Sequence, residues 1–233
     1  MTKTKKRKIY FGIFWILIVT SFIFFSIILV ASANGYHFNT KTLKLQKTSM
    51  IIINGQLDSP TIYINGKVKK TGFSRRFGQL VPGRYEVLAT KSNYQDWSKV
   101  VYLIGGQALT LNDVTLYLKT PDVTQITENS QSIENIDKNF QSQKNDIDLL
   151  GGEIHFNGQL ITRFSQEIGG AIYDQSNNHF YFQFGDEIRV MDFDGSNNVL
   201  LFKLPKNETV KFYVNNKNLF YVLDNKIYKA TIR

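Results

Sequence analysis

The feature that most constrains this chain is an uninterrupted apolar stretch near its N-terminus. Residues 9–33 form 25 consecutive positions without a charged side chain, and 15 of the residues in 11–30 are Ile, Leu, Val or Phe. About 20 apolar residues, at about 1.5 Å rise each, let a helix cross the ~30 Å hydrocarbon core of a bilayer. A helix that is apolar all round does not suit the surface of a soluble domain. The stretch therefore predicts a transmembrane helix over residues 9–33, with the lipid bilayer as its partner.

The flanking charges predict the orientation of this helix. A basic tail of residues 1–8 precedes it, with Lys3, Lys5, Lys6, Arg7 and Lys8. A sparser set follows within 20 residues, with Lys41, Lys44 and Lys47. Because dense basic segments stay on the cytoplasmic side, we expect a single-pass cell-membrane protein with a cytoplasmic N-terminus and its C-terminal domains outside. Ala31-Ser32-Ala33 leaves open a cleaved signal peptide, although the apolar region is longer than the usual ~7–15 residues.

The charge distribution argues against nucleic acid as a partner. The formal net charge of +9 divides into +5 for residues 1–33, +8 for 34–119 and −4 for 120–233. The basicity is therefore local and not spread over the chain. No cysteine is present, and the three histidines, His37, His155 and His179, lack the spacing of metal ligands. The sequence predicts no metal and no cofactor.

Strand-like runs follow a polar connector of residues 34–47 and are separated by pairs typical of tight turns. Strands are predicted at residues 50–53, 61–64, 84–90, 99–104 and 113–118. Asn65-Gly66 suits the two left-handed positions of a type I′ hairpin turn. Alternating apolar residues predict a small antiparallel β-sandwich over residues 48–119. We expect its core to contain Ile62, Ile64, Val87, Trp97 and Leu116.

The order of these motifs resembles a PEGA domain. It is carried by Ser59-Pro60, by the hairpin Ile62-Tyr63-Ile64-Asn65-Gly66-Lys67, by Val81-Pro82-Gly83-Arg84-Tyr85-Glu86-Val87, and by Lys91-Ser92-Asn93-Tyr94 with Trp97. The Pro-Glu-Gly-Ala tetrapeptide is shortened to Pro60-Thr61, and Asn93 replaces a Gly, although Asn tolerates the left-handed conformation. PEGA domains are similar to immunoglobulin-like sandwiches of bacterial and archaeal surface proteins. The resemblance implies a non-catalytic binding or spacer module and transfers no specific ligand.

Residues 120–148 are polar, rich in Asn, Gln and Ser, and lack glycine. This composition predicts a linker or a partly structured crossover. A helical alternative remains open, because Ile126, Ile133, Ile136 and Phe140 are spaced as on one helix face.

Residues 149–233 return to short strands and contain an internal repeat. Asn177–Tyr181 and Glu187–Arg189 match Asn216–Phe220 and Lys226–Tyr228 at a constant offset of 39 residues. Four-stranded propeller blades have about this period. The segment 190–198 also resembles the blade hairpin of TolB-like propellers. Since closure takes about four blades and only two fit here, we expect an incomplete propeller-like unit that either assembles with other copies or is a remnant with exposed edges.

Three groups of residues are candidates for function, and each has a structural alternative. Five basic residues, Lys67, Lys69, Lys70, Arg75 and Arg76, suit an anionic envelope polymer, a glycan or lipid headgroups, or simply form a solvated sheet edge. Five aromatic residues suit a sugar-stacking surface or the sandwich core: Tyr63, Tyr85, Tyr94, Trp97 and Tyr102. Asp192-Phe193-Asp194-Gly195 has the carboxylate spacing of a calcium loop but lacks the distal Glu, which favours a β-turn.

No phosphate-binding loop, nucleophile elbow or metal motif occurs in the sequence, so we expect no enzymatic activity. The predicted fold class is mainly β, with one transmembrane helix, a PEGA-like sandwich and an incomplete propeller-like unit. The predicted function is non-catalytic binding or structural support in the cell envelope. The alternative is a protein-interaction scaffold or subunit whose incomplete blades pair with a partner or with copies of itself.

Overall fold

The computed structural model describes residues 3–39, 43–55, 59–69, 75–126 and 132–233. It is mainly β, with 50% of residues in strands and 17% in helices, which confirms the mainly β part of the predicted fold class. The first half of the chain contains α1 (Lys3–Ala33), β1 (Tyr36–Asn39), β2 (Lys44–Lys47), β3 (Ser49–Ile53), β4 (Thr61–Ile64), β5 (Lys67–Lys69), β6 (Arg76–Leu80), β7 (Gly83–Thr90), β8 (Trp97–Leu103) and β9 (Ala108–Leu111).

The second half of the chain continues with a strand, a second helix and ten more strands. They are β10 (Asp122–Ile126), α2 (Ile133–Lys144), β11 (Ile147–Leu150), β12 (Glu153–Phe156), β13 (Gln159–Arg163), β14 (Ile168–Asp174), β15 (His179–Phe184), β16 (Glu187–Asp192), β17 (Val199–Lys203), β18 (Phe212–Asn215), β19 (Asn218–Leu223) and β20 (Lys226–Thr231).

Helix α1 is long and apolar enough to cross a membrane. Within Phe11–Ala33 the most apolar 18-residue window has a mean hydropathy of 2.8, and no part of that window is buried inside the protein. The Thr20 hydroxyl donates to the Ile16 carbonyl at 2.8 Å, so this polar group is satisfied within the helix. The helix ends where the Asn34 side chain donates back to the Val30 carbonyl at 2.8 Å. The length and composition of α1 are therefore compatible with a membrane span.

The chain divides into two compact units. Unit 1 comprises Met1–Ile52, Arg76–Arg84 and Tyr102–Leu109, and unit 2 comprises Ile53–Arg75, Tyr85–Val101 and Thr110–Arg233. The residues expected to form one sandwich, 48–119, are thus shared between the two units.

Unit 1 contains α1, the antiparallel hairpin β1–β2, and most of a three-stranded sheet in the order β6-β3-β9. Ile51 of β3 pairs with Phe77 of β6, and both side chains are buried. The Ser49 hydroxyl donates to the Ile104 carbonyl at 2.7 Å. Residues 34–47, which were expected to be a connector, contain a regular hairpin on either side of residues 40–42.

Unit 2 begins with a four-stranded sheet in the order β5-β4-β7-β8. Asn65 and Gly66 both have positive φ, 48° and 72°, as a type I′ turn requires, so the predicted hairpin is confirmed. Asn93 also has a positive φ of 65°, as expected for the residue that replaces a Gly. All five residues predicted for the core are buried: Ile62, Ile64, Val87, Trp97 and Leu116.

The prediction of a strand over residues 113–118 is wrong. Only Leu118 forms a bridge, with Tyr94, while the strand of this region is β9. Residues 113–117 are all buried, so this segment runs extended with both of its sides covered. The segment is thus buried without being a strand of a sheet, although its apolar residues alternate. Its backbone bonds to a loop and not to a neighbouring strand where Gln95 N donates to Tyr117 O at 2.7 Å.

The polar segment 120–148 also differs from the expected linker. Strand β10 pairs antiparallel with β20, with Asp122 opposite Thr231. Helix α2 is capped by the Ser132 hydroxyl, which accepts from Asn135 N at 3.2 Å, and it buries Ile136 and Phe140. The helical alternative is therefore the one that the structure adopts over Ile133–Lys144, whereas Ile126, which it included, ends β10. The apolar residues Ile133, Ile136 and Phe140 of α2 are the ones that pack against the sheets.

Three antiparallel sheets complete unit 2, in the orders β11-β12-β13, β14-β15-β16-β17 and β10-β20-β19-β18. The 39-residue repeat extends to the pairing register, because His179 opposite Asp192 corresponds to Asn218 opposite Thr231. The same offset relates every pair along β15–β16 to one along β19–β20. Two repeats of sequence thus form the same hairpin in two separate sheets, and none of the sheets closes into a barrel.

Candidate functional site

The predicted basic patch lies partly on a sheet edge. Lys67 and Lys69 are on β5, the edge strand of its sheet, where they pair with Ile64 and Ile62 of β4. Lys67 is exposed and Lys69 is half-buried, whereas Lys70 lies outside the described residues. The two described lysines therefore occupy the position that protects an edge strand from pairing and that also faces solvent ligands.

The two arginines of this patch are placed differently. Arg75 is half-buried, and its Nη1 donates to the Gly55 carbonyl at 3.0 Å within unit 2. Arg76 is exposed at the start of β6, in unit 1. The structure thus brings Lys67 and Lys69 together on one strand and assigns Arg75 a contact with the backbone.

The five aromatic candidates do not form one group. Trp97 is buried, whereas Tyr63, Tyr85 and Tyr94 are half-buried. Tyr102 is 70% exposed. The Lys91 ammonium lies 4.5 Å from the centre of the Tyr94 ring, a cation–π contact. The expectation that these residues fill the sandwich core holds for Trp97 alone.

The loop at Asp192–Gly195 forms a tight turn with its own hydrogen bonds. Gly195 N donates to the Asp192 carbonyl at 2.9 Å, and Ser196 N donates to Asp194 Oδ1 at 3.1 Å. Carboxylate oxygens of Asp113, Asp192 and Asp194 lie within 4.8 Å of one another. The turn is therefore as the sequence indicates, but a third carboxylate, from far earlier in the chain, joins it.

The Lys99 ammonium lies among these three carboxylates. Its Nζ is 2.9 Å from Asp113 Oδ2, 3.0 Å from Asp194 Oδ2 and 3.9 Å from Asp192 Oδ2. Partial burial alone lowers the pKa of Lys99, but the hydrogen bonds to Asp113 and Asp194 outweigh it and hold this pKa above 10.5. The chain thus supplies the cation of this acidic cluster itself.

The same lysine affects the acid on the exposed side of the cluster. Partial burial by itself raises the pKa of Asp194, but hydrogen bonds from Ser196 and Lys99 lower this pKa below its ordinary value. Lys99 therefore stays protonated and Asp194 stays ionised near neutral pH. The arrangement suits an ion-pair network that joins β8 to the turn after β16.

Asp192 is the centre of this network. It is 1% exposed, and its Oδ2 accepts from Trp97 Nε1 at 3.0 Å and from Asn197 Nδ2 at 2.8 Å. His179, also 1% exposed, places Nε2 3.2 Å from Asp192 Oδ1 without the alignment of a hydrogen bond. Ser98 N donates to Asn197 Oδ1 at 3.1 Å. The first sheet of unit 2 and the C-terminal sheets are therefore tied together by buried polar contacts.

A second buried polar group lies next to His179. The Tyr117 ring meets His179 edge-on at 5.8 Å, and its hydroxyl lies 2.9 Å from the Tyr181 hydroxyl. Burial raises the pKa of Tyr181 to about 12 and raises that of Tyr117 well above its ordinary value. The Arg233 guanidinium stacks 5.8 Å from the centre of the Tyr117 ring and lies 3.6 Å from Asp174 Oδ2.

Chemically, these groups favour stability over catalysis. A general acid or base must reach its substrate, whereas His179 and Asp192 are sealed from solvent. Sequence reasoning missed the network because Trp97, Lys99 and Asp113 are about 80–100 residues from Asp192 and follow no short motif. The one local signal was the Asp-x-Asp-Gly turn.

Compared with models of known protein families and with curated proteins, the sequence matches none.

Proposed function

We propose that this chain is a membrane-anchored, extracytoplasmic, non-catalytic binding or structural protein of the cell envelope. In this proposal α1 spans the bilayer once, and the β-rich remainder consists of a PEGA-like sandwich followed by an incomplete propeller-like unit. The observation that carries the proposal is α1, whose apolar window has no part buried against the protein. Such a surface is strongly unfavourable in water and favourable in hydrocarbon.

The proposed orientation rests on charge. The tail before the span carries five closely spaced basic residues, whereas the 20 residues after it carry Lys41, Lys44 and Lys47, more widely spaced. Positively charged segments are retained on the cytoplasmic side, so the N-terminus is inside and the chain that follows α1 is outside.

The proposed non-catalytic role is supported by how the polar groups are used. The buried acids and bases of unit 2 face one another across strands, and Lys99 neutralises the acidic cluster. The PEGA-like assignment is supported by the two positive-φ turn residues Asn65 and Asn93. The propeller-like assignment is supported by the 39-residue repeat in strand register.

Cysteine labelling tests the anchor and its orientation, because the natural chain has no cysteine. We expect the exposed variant Ser165→Cys to react with a membrane-impermeant maleimide in intact cells, and Thr2→Cys to react only after the cells are lysed. Both variants should remain in the membrane pellet after carbonate washing. Labelling of Thr2→Cys in intact cells would invert the orientation, and a mature protein that starts at Asn34 would replace the anchor with a cleaved signal peptide.

The ligand-binding part of the proposal concerns the edge strand β5. Lys67 and Lys69 present positive charge to solvent beside the backbone edge of β5, a surface that suits an anionic envelope polymer or an acidic glycan. Replacing all five basic residues of the predicted patch with Ser should weaken retention on isolated envelope material and remove its salt dependence. The matched control replaces five exposed lysines of unit 2 elsewhere: Lys138, Lys206, Lys211, Lys217 and Lys226. Equal retention of both variants and the parent would argue against the patch.

The alternative proposal is a scaffold that pairs with copies of itself or with another protein. It is favoured by the three-stranded sheet β11-β12-β13, whose outer strands carry the exposed side chains of Leu150 and Leu160. Open sheet edges with apolar residues pair readily with other chains. Light scattering of the full chain in detergent measures this directly. A strictly monomeric chain, in detergent and after crosslinking in cells, would oppose self-assembly.

A further inference from the structure

The hairpin that follows α1 has one apolar and one polar face. The pairs Tyr36 with Lys47 and Phe38 with Leu45 alternate with His37 with Gln46 and Asn39 with Lys44. Directly paired residues point to the same face of an antiparallel ribbon. One face therefore carries Tyr36, Phe38, Leu45 and Lys47, and the other carries His37, Asn39, Lys44 and Gln46.

The apolar face is uncovered. Phe38 is 50% exposed and Leu45 is 55% exposed, and Leu43, just before β2, is 74% exposed. A two-stranded hairpin is only marginally stable in water, even before it exposes large apolar side chains. The alternation of β1 and β2 is that of a ribbon with one face outside water, yet Phe38 and Leu45 on that face are each at least half exposed.

The hairpin is held close to the end of the membrane helix. Helix α1 ends at Ala33 and β1 begins at Tyr36, with Gly35 at φ 77° between them. Thr48, directly after β2, donates to the Gly35 carbonyl from its backbone N at 2.7 Å and from its hydroxyl at 3.0 Å. Both ends of the hairpin are thus fastened at the last turn of α1.

The apolar face continues the apolar surface of the helix. Tyr36, Leu45 and Lys47 line a groove together with the last turns of α1, including Ile27 and Val30. The Lys47 ammonium lies 5.5 Å from the centre of the Tyr36 ring. Tyrosine and lysine side chains have an apolar body and a polar tip. They are therefore suited to the lipid headgroup region, where the body contacts acyl chains and the tip contacts water.

We propose that the hairpin β1–β2 rests on the outer leaflet, with Tyr36, Phe38, Leu43 and Leu45 at the boundary between headgroups and acyl chains. Lys47 then reaches the phosphates beside Tyr36, and the polar face with His37 and Gln46 points to water. An element of this kind lies about 5–10 Å deep in the interface. The hairpin then gives the chain a second contact with the membrane, next to the end of α1. This inference rests on the proposed membrane anchor.

The test uses the absence of natural cysteine and compares neighbouring positions on opposite faces. Single variants Phe38→Cys, Leu45→Cys, His37→Cys and Gln46→Cys are labelled with an environment-sensitive nitrobenzoxadiazole group. The full chain is reconstituted in vesicles of phosphatidylcholine and phosphatidylglycerol. Lipids that carry a nitroxide near the headgroup report contact with the interface, and aqueous iodide reports contact with water. Ile23→Cys in α1 reports the anchor.

We expect lipid nitroxide to quench the labels at Phe38 and Leu45 several-fold more than those at His37 and Gln46, and iodide to show the reverse order. If all four labels are equally open to iodide while the label at Ile23 is quenched by lipid, the hairpin proposal is overturned and the anchor stands. If the label at Ile23 is itself open to iodide, the anchor fails and the hairpin proposal fails with it.

Discussion

Removing the carboxylate of Asp192 should destabilise unit 2 more than its size alone suggests. The variant Asp192→Ala leaves the Trp97 indole N–H and the Asn197 amide without their acceptor, since both donate to Asp192 Oδ2 in the structure. A buried donor left unsatisfied costs about 1–3 kcal/mol, and two donors lose their acceptor here, whereas Lys99 keeps its contacts with Asp113 and Asp194. Because these contributions overlap, we expect the free energy of unfolding to fall by about 3–5 kcal/mol.

The assay is urea unfolding of the full chain in detergent, followed by tryptophan fluorescence. The chain has two tryptophans, and Trp15→Phe leaves Trp97, which touches the altered site, as the reporter. With a urea dependence of about 2 kcal/mol per M, the midpoint should fall by roughly 1.5–2.5 M.

The matched control for this assay is Asp192→Asn, which keeps an oxygen for Trp97 and Asn197 and should cost about 1–2 kcal/mol. If the Ala variant unfolds within about 1 kcal/mol of the parent, Asp192 does not hold the sheets together and the reasoning is wrong.

Three further perturbations test separate parts of the structure. Burial raises the pKa of Tyr181 to about 12, whereas an unfolded tyrosine ionises near 10, so stability should be complete below pH 10 and fall towards pH 12 by up to about 1.4 kcal/mol per pH unit. Urea titrations between these pH values should show a shallower fall for Tyr181→Phe, and an unchanged slope would contradict the assignment. Gly66→Ala should cost about 1–2 kcal/mol by thermal unfolding, because φ is 72° while the space around it is empty. Asn65→Gly relieves no strain and should cost about 0.5–1.5 kcal/mol, because it removes the oxygen that accepts from Glu86 N at 2.8 Å. Ile136→Ala should lower the free energy of unfolding in urea by about 2–5 kcal/mol. The control Lys138→Ala, at an exposed position of the same helix, should lower it by less than about 0.5 kcal/mol. Equal urea midpoints for the two variants would favour the interpretation of this segment as a linker.

The features of this fold that could be predicted depend on residues close together in the sequence. The edges of β4 coincide with the strand predicted for residues 61–64, because Asn65-Gly66 marks its end. The repeat offset of 39 also anticipates the shared pairing register. Here local turn chemistry and the tertiary fold agree, as expected for a minimally frustrated sequence.

The parts that were missed depend on distant partners. Strand β10 contains Asp, Thr and Gln, and it becomes a strand because β20 offers a free edge. Residues 113–117 alternate like a strand but are covered on both sides. Of the candidate site, the turn at Asp192 was visible in sequence, whereas the approach of Trp97 and Lys99 to it was not. Contacts between residues so far apart leave no spacing pattern to find.

The sheet that joins β10 to β20 sets an order of events during synthesis. The two strands are separated by about 100 residues, and such non-local pairs are slow to form. Until β20 is available, β10 lacks its one neighbour among the described strands, and its backbone groups are open to misdirected pairing. A ribosome that stalls before residue 226 would release a chain that cannot complete this sheet. A chain that lacks β20 therefore leaves β10 as an unpaired strand, which is a site for misassembly.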